Sequence, residues 1–270
     1  MLLRGEPALV DRSNRGVVAV TGPDRLTWLH SLLSQHLESL PPGEPRQALL
    51  LSPHGHVEQH LVVVDDGETT YLQTEPGQAP AVVAYLDSMR FMLRVEVTDV
   101  TSSLAVLTVA PEGRDLLVPR ADLDRVVDEQ ERPLAGMAAF EALRVAARTP
   151  RFGVETDHRT IPHELGWIGP AVHLDKGCYR GQETVARVEN LGRPPRRLVL
   201  VHFDGSREQL PPPGTPVTVA GDPDGRAVGF LGTSAWHAEL GPIGLAVVKR
   251  QTPDDARLVA DGMALAIDPG

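Results

Sequence analysis

The spacing of hydrophobic residues changes its period along this chain, and this change limits the folds that the chain can adopt. Leucines between residues 26 and 40 recur at helical spacing, and a Pro-Pro-Gly sequence ends the run. Residues 46–52, 57–65 and 69–74 instead have the composition of strands, with turn-forming residues between them. Further on, 81–93 predicts a second helix and 94–100 a strand. Helices that alternate with hairpin-linked strands predict an α+β fold with mainly antiparallel sheets.

Three domains follow from the way this pattern continues. Residues 104–150 repeat the mixture of strand and helix, which indicates a second α+β unit. From Arg196 onward only short strands and turns remain, as in a small β barrel. We therefore predict a first α+β unit at 1–100, a second at 101–195, and a C-terminal β-barrel domain at 196–270.

Composition excludes several classes of protein. The 270 residues include one cysteine, so the chain can form no internal disulfide and cannot supply the roughly four thiolates of an iron-sulphur cluster. A net charge of −10 argues against broad affinity for nucleic acid. No apolar run reaches the roughly 18 residues of a membrane span, and the first residues lack the apolar region of a leader. A cytoplasmic location without membrane attachment is expected.

Positive charge is concentrated in one segment, residues 176–197, which we call the basic strip. It contains six basic residues against two glutamates: Lys176, Arg180, Arg187, Arg193, Arg196 and Arg197 against Glu183 and Glu189. An anionic ligand would be drawn to such a strip. Lys176 is one of only two lysines in the chain, which suits a position that needs a compact ammonium group; the alternative is that the two lysines fall where they do by chance.

The strip begins with Lys-Gly-Cys-Tyr-Arg-Gly-Gln-Glu at 176–183, which we call the octapeptide and identify as the candidate functional site. Cys178 precedes a short helix predicted over 182–190, and the neighbouring cations favour a reactive thiolate. Cys178 and Lys176 are the candidate reactive or ligand-facing residues. The candidate ligand-binding residues are Gly177, Tyr179, Arg180, Gly181, Gln182, Glu183 and Arg187, which offer close approach, a stacking face and hydrogen bonds. The alternative is a buried cysteine among ordinary turn residues.

The octapeptide, continued through Ala186-Arg187, resembles the signature of the YgfZ family, relatives of the glycine-cleavage T-protein. The resemblance extends to 20–24, to 140–153 and to several short motifs up to residue 246. It implies a ring of two α+β units and a terminal β barrel around a central hole. It also implies a tetrahydrofolate or one-carbon folate ligand, iron-sulphur client or assembly proteins as partners, and a role in iron-sulphur cluster assembly or repair, with a further link to tRNA modification.

Two positions depart from the catalytic relative. The T-protein has adjacent aspartates where this chain has Gln59 and His60, and Glu58 is one residue out of register. A glutamine amide is not a usable base, whereas a histidine is. The T-protein's pterin-binding glutamate corresponds to Ala146. We therefore expect no aminomethyl transfer and no turnover of a conventional small substrate. The alternatives are a folate-dependent one-carbon transferase that uses His60, and a protein- or tRNA-binding module that uses the basic strip.

Other histidines are weaker candidates. His54, His56 and His60 have a spacing that a metal site can use, but alternating polar residues on a solvated strand face are more common. His158 and His163 are interpreted as loop residues. We predict no metal site, and the chain has no phosphate-binding loop, dinucleotide-binding fingerprint or nucleophile elbow.

Overall fold

The computed structural model describes residues 7–221 and 225–269. Its strands are, in chain order, β1 (Ala8–Asp11), β2 (Gly16–Thr21), β3 (Arg46–Leu51), β4 (Val57–Asp65), β5 (Thr69–Thr74), β6 (Glu96–Asp99), β7 (Leu104–Ala110), β8 (Arg114–Pro119), β9 (Leu134–Ala135), β10 (Arg196–Phe203), β11 (Pro216–Val219), β12 (Ala227–His237), β13 (Gly241–Lys249), β14 (Leu258–Ala260) and β15 (Met263–Ile267). Its α-helices are α1 (Arg25–Leu32), α2 (Ala79–Met89), α3 (Leu123–Glu129), α4 (Met137–Ala146) and α5 (Gln182–Leu191), with short 3-10 helices at Arg120–Asp122 and Pro162–Leu165. None of these helices is long and apolar enough to cross a membrane.

The first sheet is antiparallel throughout, in the order β3-β4-β5-β2-β6. Burial alternates along β4, so that Leu61 and Val63 pack against α1 and α2 while His60 and Val62 lie on the opposite face. This alternation follows from the two-residue period of a strand. The helices therefore cover one face of the sheet and leave the other available for a site.

The second sheet has the order β8-β7-β1-β9 and takes its third strand from the start of the chain. β1 pairs antiparallel with β7, with Ala8 opposite Ala110, and parallel with β9. The next strand, β2, belongs to the first sheet, so residues 12–15 cross from one sheet to the other. The boundary between the two α+β units at residue 100 remains a prediction. The structure adds that β1, from the start of the first predicted unit, pairs within the second sheet. The sequence patterns missed β1, β8, β9 and α3.

The C-terminal strands close into a barrel in the order β10-β13-β12-β11-β14-β15, with β15 returning to β10. Its interior is filled by alternate residues of each strand, among them Val201, Leu231 and Leu265. Closure of a sheet in this way leaves no unpaired edge. Buried Glu155 ties the second unit to the barrel, because its Oε1 accepts hydrogen bonds from the backbone N and the hydroxyl of Thr233, each at 2.7 Å.

Both long predicted helices are shorter in the structure. Helix α1 ends at Leu32 instead of continuing to residue 40, because the backbone N of Ser34 bonds to Leu49 O and its hydroxyl accepts from Leu49 N. The leucines beyond the helix are still buried, which explains the periodic pattern. Helix α2 ends at Met89, before Phe91, whose φ of 50° belongs to the left-handed region.

Candidate functional site

A cavity of about 480 Å³ lies between the uncovered face of the first sheet, the second sheet and α4. Residues from all three elements and from the segments that join them line it. They are Arg12, Arg15, Gln47, His60, Val62, Glu75, Thr108, Ala110, Pro111, Gly113, Asp115, Phe140, Leu143, Arg144, Ala146, Ala147, Thr149, Pro150 and Arg151. The lining is mixed, with apolar walls and four guanidinium groups. Pockets of about 300–1,000 Å³ with few polar groups are typical small-molecule sites.

Two of the arginines are placed by the crossing between the sheets. The backbone N of Arg15 donates to Arg12 O at 2.9 Å, which closes the turn between β1 and β2 and directs both side chains to the cavity. The Arg12 guanidinium lies 4.4 Å from the centre of the Phe140 ring and 3.9 Å from Asp115. Burial and the nearby Arg15 lower the pKa of Arg12 to about 10, so it remains a cation at neutral pH.

Arg15 is the unusual member of this pair. Its side chain is only 5% exposed, and its Nη1 forms an ion pair with Glu75 Oε1 at 3.4 Å. The other two nitrogens, Nε and Nη2, are buried and have no hydrogen-bond partner among residues 7–221 and 225–269. A buried donor without a partner costs about 1–3 kcal/mol, and more for a charged group. A buried polar group without a protein partner calls for an explanation, such as a bound water or ion or a functional role.

Glu75 and Glu141 hold the remaining cations of the cavity. Glu75 Oε2 accepts from Arg151 Nε at 3.0 Å and from Nη2 at 2.7 Å. Burial opposes the ionisation of Glu75, but Arg15 and Arg151 outweigh it and lower its pKa. Glu141 bridges Arg151, at 2.8 Å, and Arg144, at 2.7 Å. The carboxylates at this wall are thus committed to arginines.

His60 forms part of the opposite wall. Its ring stacks on Trp167 with the centroids 4.9 Å apart and the planes 12° apart, and its Nε2 lies 2.9 Å from Gln47 Oε1. Burial and the charge of Arg15 lower the pKa of His60 to about 4, so the ring is neutral at pH 7. With Nε2 donating to Gln47, Nδ1 remains the ring's acceptor.

The two departures from the T-protein pattern have different positions. Gln59 lies on the helix-covered face of β4, where its Nε2 donates to Gln78 Oε1 at 2.9 Å, so it does not line the cavity. Ala146 does line the cavity and contributes only a methyl group. Of Gln59 and His60, the two residues at the positions of the T-protein's adjacent aspartates, His60 is therefore the one that lines the cavity.

The octapeptide does not line this cavity, and its residues have separate surroundings. Lys176 is buried, and its Nζ donates to the backbone O of His30, Leu33 and Gln35 at the end of α1. A cation at these carbonyls satisfies groups that a helix end leaves unpaired. Burial lowers the pKa of Lys176 to about 8. Its ammonium therefore holds the end of α1, although the sequence favoured a ligand-facing role.

Tyr179 and Gly181 are also packed inside the protein. Tyr179 belongs to a core cluster with Leu51 and Trp167, and burial raises the pKa of its hydroxyl to about 12. Gly181 has a φ of 83°, and a Cβ there would lie 2.6 Å from Ser52 O. Gly181 thus allows the start of α5 to pack directly against the β3–β4 hairpin. Neither residue offers the stacking face or the ligand approach that the sequence suggested.

The remaining octapeptide residues lie nearer the surface. Cys178 and Gly177 are exposed, and Gln182 is half-buried at the start of α5. Arg180 pairs with Glu58 at 3.0 Å, and exposed Glu183 lies 3.3 Å from Arg187 one helical turn later. The reactive or ligand-facing role of Cys178 stays a prediction. Its thiol is accessible and lies on a loop between the buried residues Lys176 and Tyr179.

The basic strip carries less free charge than its sequence suggests. Arg196 binds Asp157 at 2.6 Å and Glu164 at 2.7 Å, and Arg197 binds Asp254 at 2.6 Å. With Lys176, Arg180 and Arg187 also bound, five of the six strip cations have protein partners in the described part of the chain. Paired charges attract an external anion weakly, so the strip is a poor electrostatic site.

The histidines considered for a metal site are dispersed. The His54 and His56 rings lie 6.3 Å apart, His60 packs on Trp167, and His163 Nε2 lies 3.3 Å from Glu189. Across residues 7–221 and 225–269, no group of three or more histidine, cysteine or acidic side chains is placed to hold a metal ion.

Sequence reasoning missed the arginine cluster of the cavity. Arg12 and Arg15 stand in Asp-Arg-Ser-Asn-Arg between two short apolar runs, and Glu75 and Arg151 are more than 70 residues apart. The available signal was two arginines in a short polar segment between apolar runs. Only the crossing of the chain between the sheets shows that this turn faces a cavity.

These features define a class of fold. The chain superposes on the glycine cleavage system aminomethyltransferase T of Bartonella henselae with a TM-score of 0.78, covering 97% of this chain and 84% of that one at 18% identity. Two aminomethyltransferases are also similar in sequence. That of Rubrobacter xylanophilus is 26% identical over 93% of this chain and 78% of its own length, and that of Moorella thermoacetica is 24% identical over 93% and 80%. The fold is that of the glycine-cleavage T-protein, as predicted.

Family models identify the two ends of the chain. Residues 1–130 match the GCVT N-terminal domain, and residues 196–269 match the C-terminal beta-barrel domain of CAF17. The chain belongs to the glycine-cleavage T-protein superfamily as a YgfZ-type member, which confirms the resemblance drawn from the octapeptide.

Proposed function

We propose that this protein binds a tetrahydrofolate-type ligand in the central cavity and supports the assembly or repair of iron-sulphur enzymes, without aminomethyl transfer. The observation that carries the proposal is a 480 Å³ cavity with buried arginine donors. Each carboxylate in its described lining, Glu75 and Asp115, pairs with an arginine. Cavity size suits a drug-sized ligand, and the unpartnered donors of Arg15 fit an anionic one. Tetrahydrofolate bound there would either carry a one-carbon group or stabilise the folded protein.

The same lining argues against transfer chemistry. A general base must reach the reacting amine with a usable lone pair and a pKa near the working pH. His60 has one ring nitrogen bound to Gln47, and its pKa of about 4 makes it a weak base. Glu75 and Asp115 face arginines, and Ala146 has no polar group. Binding without turnover is the chemistry that these side chains support.

Tryptophan fluorescence offers a direct test of binding. Trp167 stacks on cavity-lining His60, whereas Trp28 lies in the helix-covered core and Trp236 is 53% exposed. Tetrahydrofolate should change the fluorescence saturably in the wild type and in the Trp28→Phe and Trp236→Phe variants. The signal should disappear in Trp167→Phe while calorimetry still reports binding. If neither method detected saturable binding, the ligand proposal would be refuted.

The iron-sulphur role needs a cellular test. We propose client or assembly proteins as partners, since the single exposed Cys178 cannot hold a cluster alone. Deletion of the gene should lower iron-sulphur enzyme activities, and the wild type should restore them, as should the control Arg125→Gln, which changes an exposed arginine outside the cavity lining. Arg15→Gln should fail if the role depends on the cavity, and Cys178→Ala should fail if it depends on the thiol. Unchanged activities after deletion would contradict the role. The cytoplasmic location and the link to tRNA modification stay predictions.

A one-carbon transferase is the second candidate, favoured by the similarity to aminomethyltransferases and by the position of His60 in the cavity. Purified protein supplied with tetrahydrofolate and an aminomethyl donor would then release a one-carbon folate. Loss of this product in His60→Gln, with tetrahydrofolate binding retained, would favour the transferase over the binding role.

A further inference from the structure

Residues 89–93, which follow α2 and which we call the apolar loop, expose an unusual amount of apolar surface. Four of the eight large hydrophobic side chains that are exposed in residues 7–221 and 225–269 lie here, namely Met89, Phe91, Met92 and Leu93. Phe91 is 93% exposed and Met92 is 88% exposed. Single exposed hydrophobic residues are normal, whereas a contiguous patch marks an interaction site. We propose that a second copy of this chain docks on the apolar loop and forms a two-fold dimer.

The apolar loop is held in its shape from both ends. Met89 O accepts a hydrogen bond from Trp28 Nε1 at 3.3 Å. Arg94 donates to Asp24 from its backbone N at 2.9 Å, from Nε at 3.1 Å and from Nη2 at 2.7 Å. A loop that is fixed in this way loses little conformational freedom when a partner binds. The loop also lies outside the cavity lining, so the dimer does not depend on the proposed function.

The backbone at Phe91 points to a role for its exposed side chain. Its φ of 50° belongs to the left-handed region, which a bulky residue rarely adopts. Glycine or asparagine would suit this backbone better and would place no apolar ring in water. Phenylalanine here is therefore unfavourable in an isolated monomer for two reasons, and burial against a partner would remove one of them. Strained backbone of this kind occurs at binding and switch regions.

The charges beside the apolar loop favour a second copy as the partner. Two ion pairs border the loop, Arg90 with Asp87 and Arg94 with Asp24, so the paired side chains carry no net charge. An anionic membrane would attract an excess of basic residues there, and it would repel a chain with a net charge of −10. A second copy presents the same balanced border. Each of its acidic side chains can therefore meet a basic one across a two-fold axis.

Asp87 and Arg90 are the side chains that can pair between copies. Within one copy Arg90 Nη1 lies 3.7 Å from Asp87 Oδ1, and both side chains are about half exposed. Such an exposed pair contributes little inside one chain. Across a two-fold axis Arg90 of one copy would bind Asp87 of the other, and symmetry would form this contact twice. Arg94 stays with Asp24, to which it is already bound through two side-chain nitrogens.

The size of the patch sets the expected strength of the dimer. A buried aromatic ring removes about 150–250 Å² from water, so the four apolar side chains offer on the order of 400–500 Å² per copy. Two copies would bury about 800–1,000 Å² in these side chains, near the lower limit of roughly 1,000 Å² for a specific interface. The charged border adds to this area. The dimer is therefore weak, with a Kd on the order of 10 µM.

Sedimentation equilibrium of the purified full chain measures this association. The wild type should change from monomer to dimer between about 1 and 100 µM, a range that brackets the expected Kd. Phe91→Asn should raise the Kd at least about 10-fold, because it removes the ring and suits the left-handed backbone. The Tm of monomeric Phe91→Asn should equal or exceed that of the monomeric wild type, which separates lost association from misfolding. Leu240→Ser removes an exposed leucine between β12 and β13 and should leave the Kd unchanged.

Charge exchange tests the two-fold arrangement itself. Asp87→Arg and Arg90→Asp should each raise the Kd about 10-fold or more, because each places like charges opposite one another. The variant with both substitutions should regain a Kd near that of the wild type, since opposite charges face each other again. Equal Kd values for all four proteins, or a double variant that stays monomeric, would overturn the two-fold pairing. A wild type that stays monomeric at about 300 µM, or that binds phosphatidylcholine vesicles as a monomer, would overturn docking of a second copy.

Discussion

The two glycines of the octapeptide provide a matched test of whether the segment is structural. Gly181 has a φ of 83°, and an added Cβ would meet backbone atoms, Ser52 O at 2.6 Å and Gly55 Cα at 3.0 Å. Gly177 lies four residues earlier, outside the left-handed region, and a Cβ there would meet no atom within 4 Å. Substituting alanine at each position changes the sequence equally and the packing very differently.

The magnitude follows from two costs. A residue with a Cβ in the left-handed region costs roughly 1–2 kcal/mol, and overpacking against atoms that cannot rotate away costs about 1–3 kcal/mol. Gly181→Ala should therefore lower the free energy of unfolding by about 2–5 kcal/mol. Gly177→Ala should change it by less than about 0.5 kcal/mol, as for an exposed surface position.

Thermal unfolding followed by circular dichroism measures this difference. One kcal/mol corresponds to roughly 2–4 °C in a protein of about 150–250 residues, so Gly181→Ala should lower the Tm by at least about 4 °C relative to Gly177→Ala. Equal Tm values for the two variants would refute the claim that the start of α5 packs backbone to backbone on the hairpin. A larger loss in Gly177→Ala would reverse the assignment of the two glycines.

Three further variants test buried ionisable side chains. Lys176→Met should destabilise the protein by about 3 kcal/mol or more in chemical denaturation, since it strands three backbone carbonyls, and a wild-type midpoint would refute this. Because the pKa of His60 is about 4 when folded and about 6.5 when unfolded, the unfolded state binds more protons between these values, and stability falls as the pH drops through them. The full effect is about 3 kcal/mol at 1.36 kcal/mol per pKa unit, and acid titration of His60→Gln should lack it; parallel curves would contradict it. Arg15→Met should leave the Tm of the free protein unchanged or higher, because it removes unpartnered donors while Glu75 keeps Arg151, and a Tm drop above about 4 °C would count against it.

Helix α1 shows how a correct pattern can give a wrong boundary. Leu33, Leu37 and Leu40 continue the helical spacing and are all buried, yet the chain leaves the helix at Leu33. Periodicity reports which side chains are buried, and the same burial is reached here by an irregular segment. The bonds that end the helix come from Ser34 to β3 and from Lys176 in a distant loop. No local pattern contains those partners.

The octapeptide was found from sequence, but its role in the fold was not. Its residue types suggested a ligand site because an ammonium, a tyrosine and glycines can all bind ligands. The structure instead places Lys176 at a helix end, Tyr179 in the core and Gly181 against a hairpin. These uses depend on residues more than 100 positions away in the chain.

The sequence by itself determined the alternation of helices and strands, the all-β C-terminal end and the family, because these depend on local spacing and on a specific motif. It also located the changes at Gln59 and Ala146 that weigh against transfer. Only the tertiary structure decided that β1 joins the second sheet, and that Arg12 and Arg15 thereby reach a cavity between the sheets. The physical reason is that burial, pKa and unpaired donors arise from contacts between segments distant in sequence. Which cations are committed to protein partners, and which remain for a ligand, is a property of those contacts.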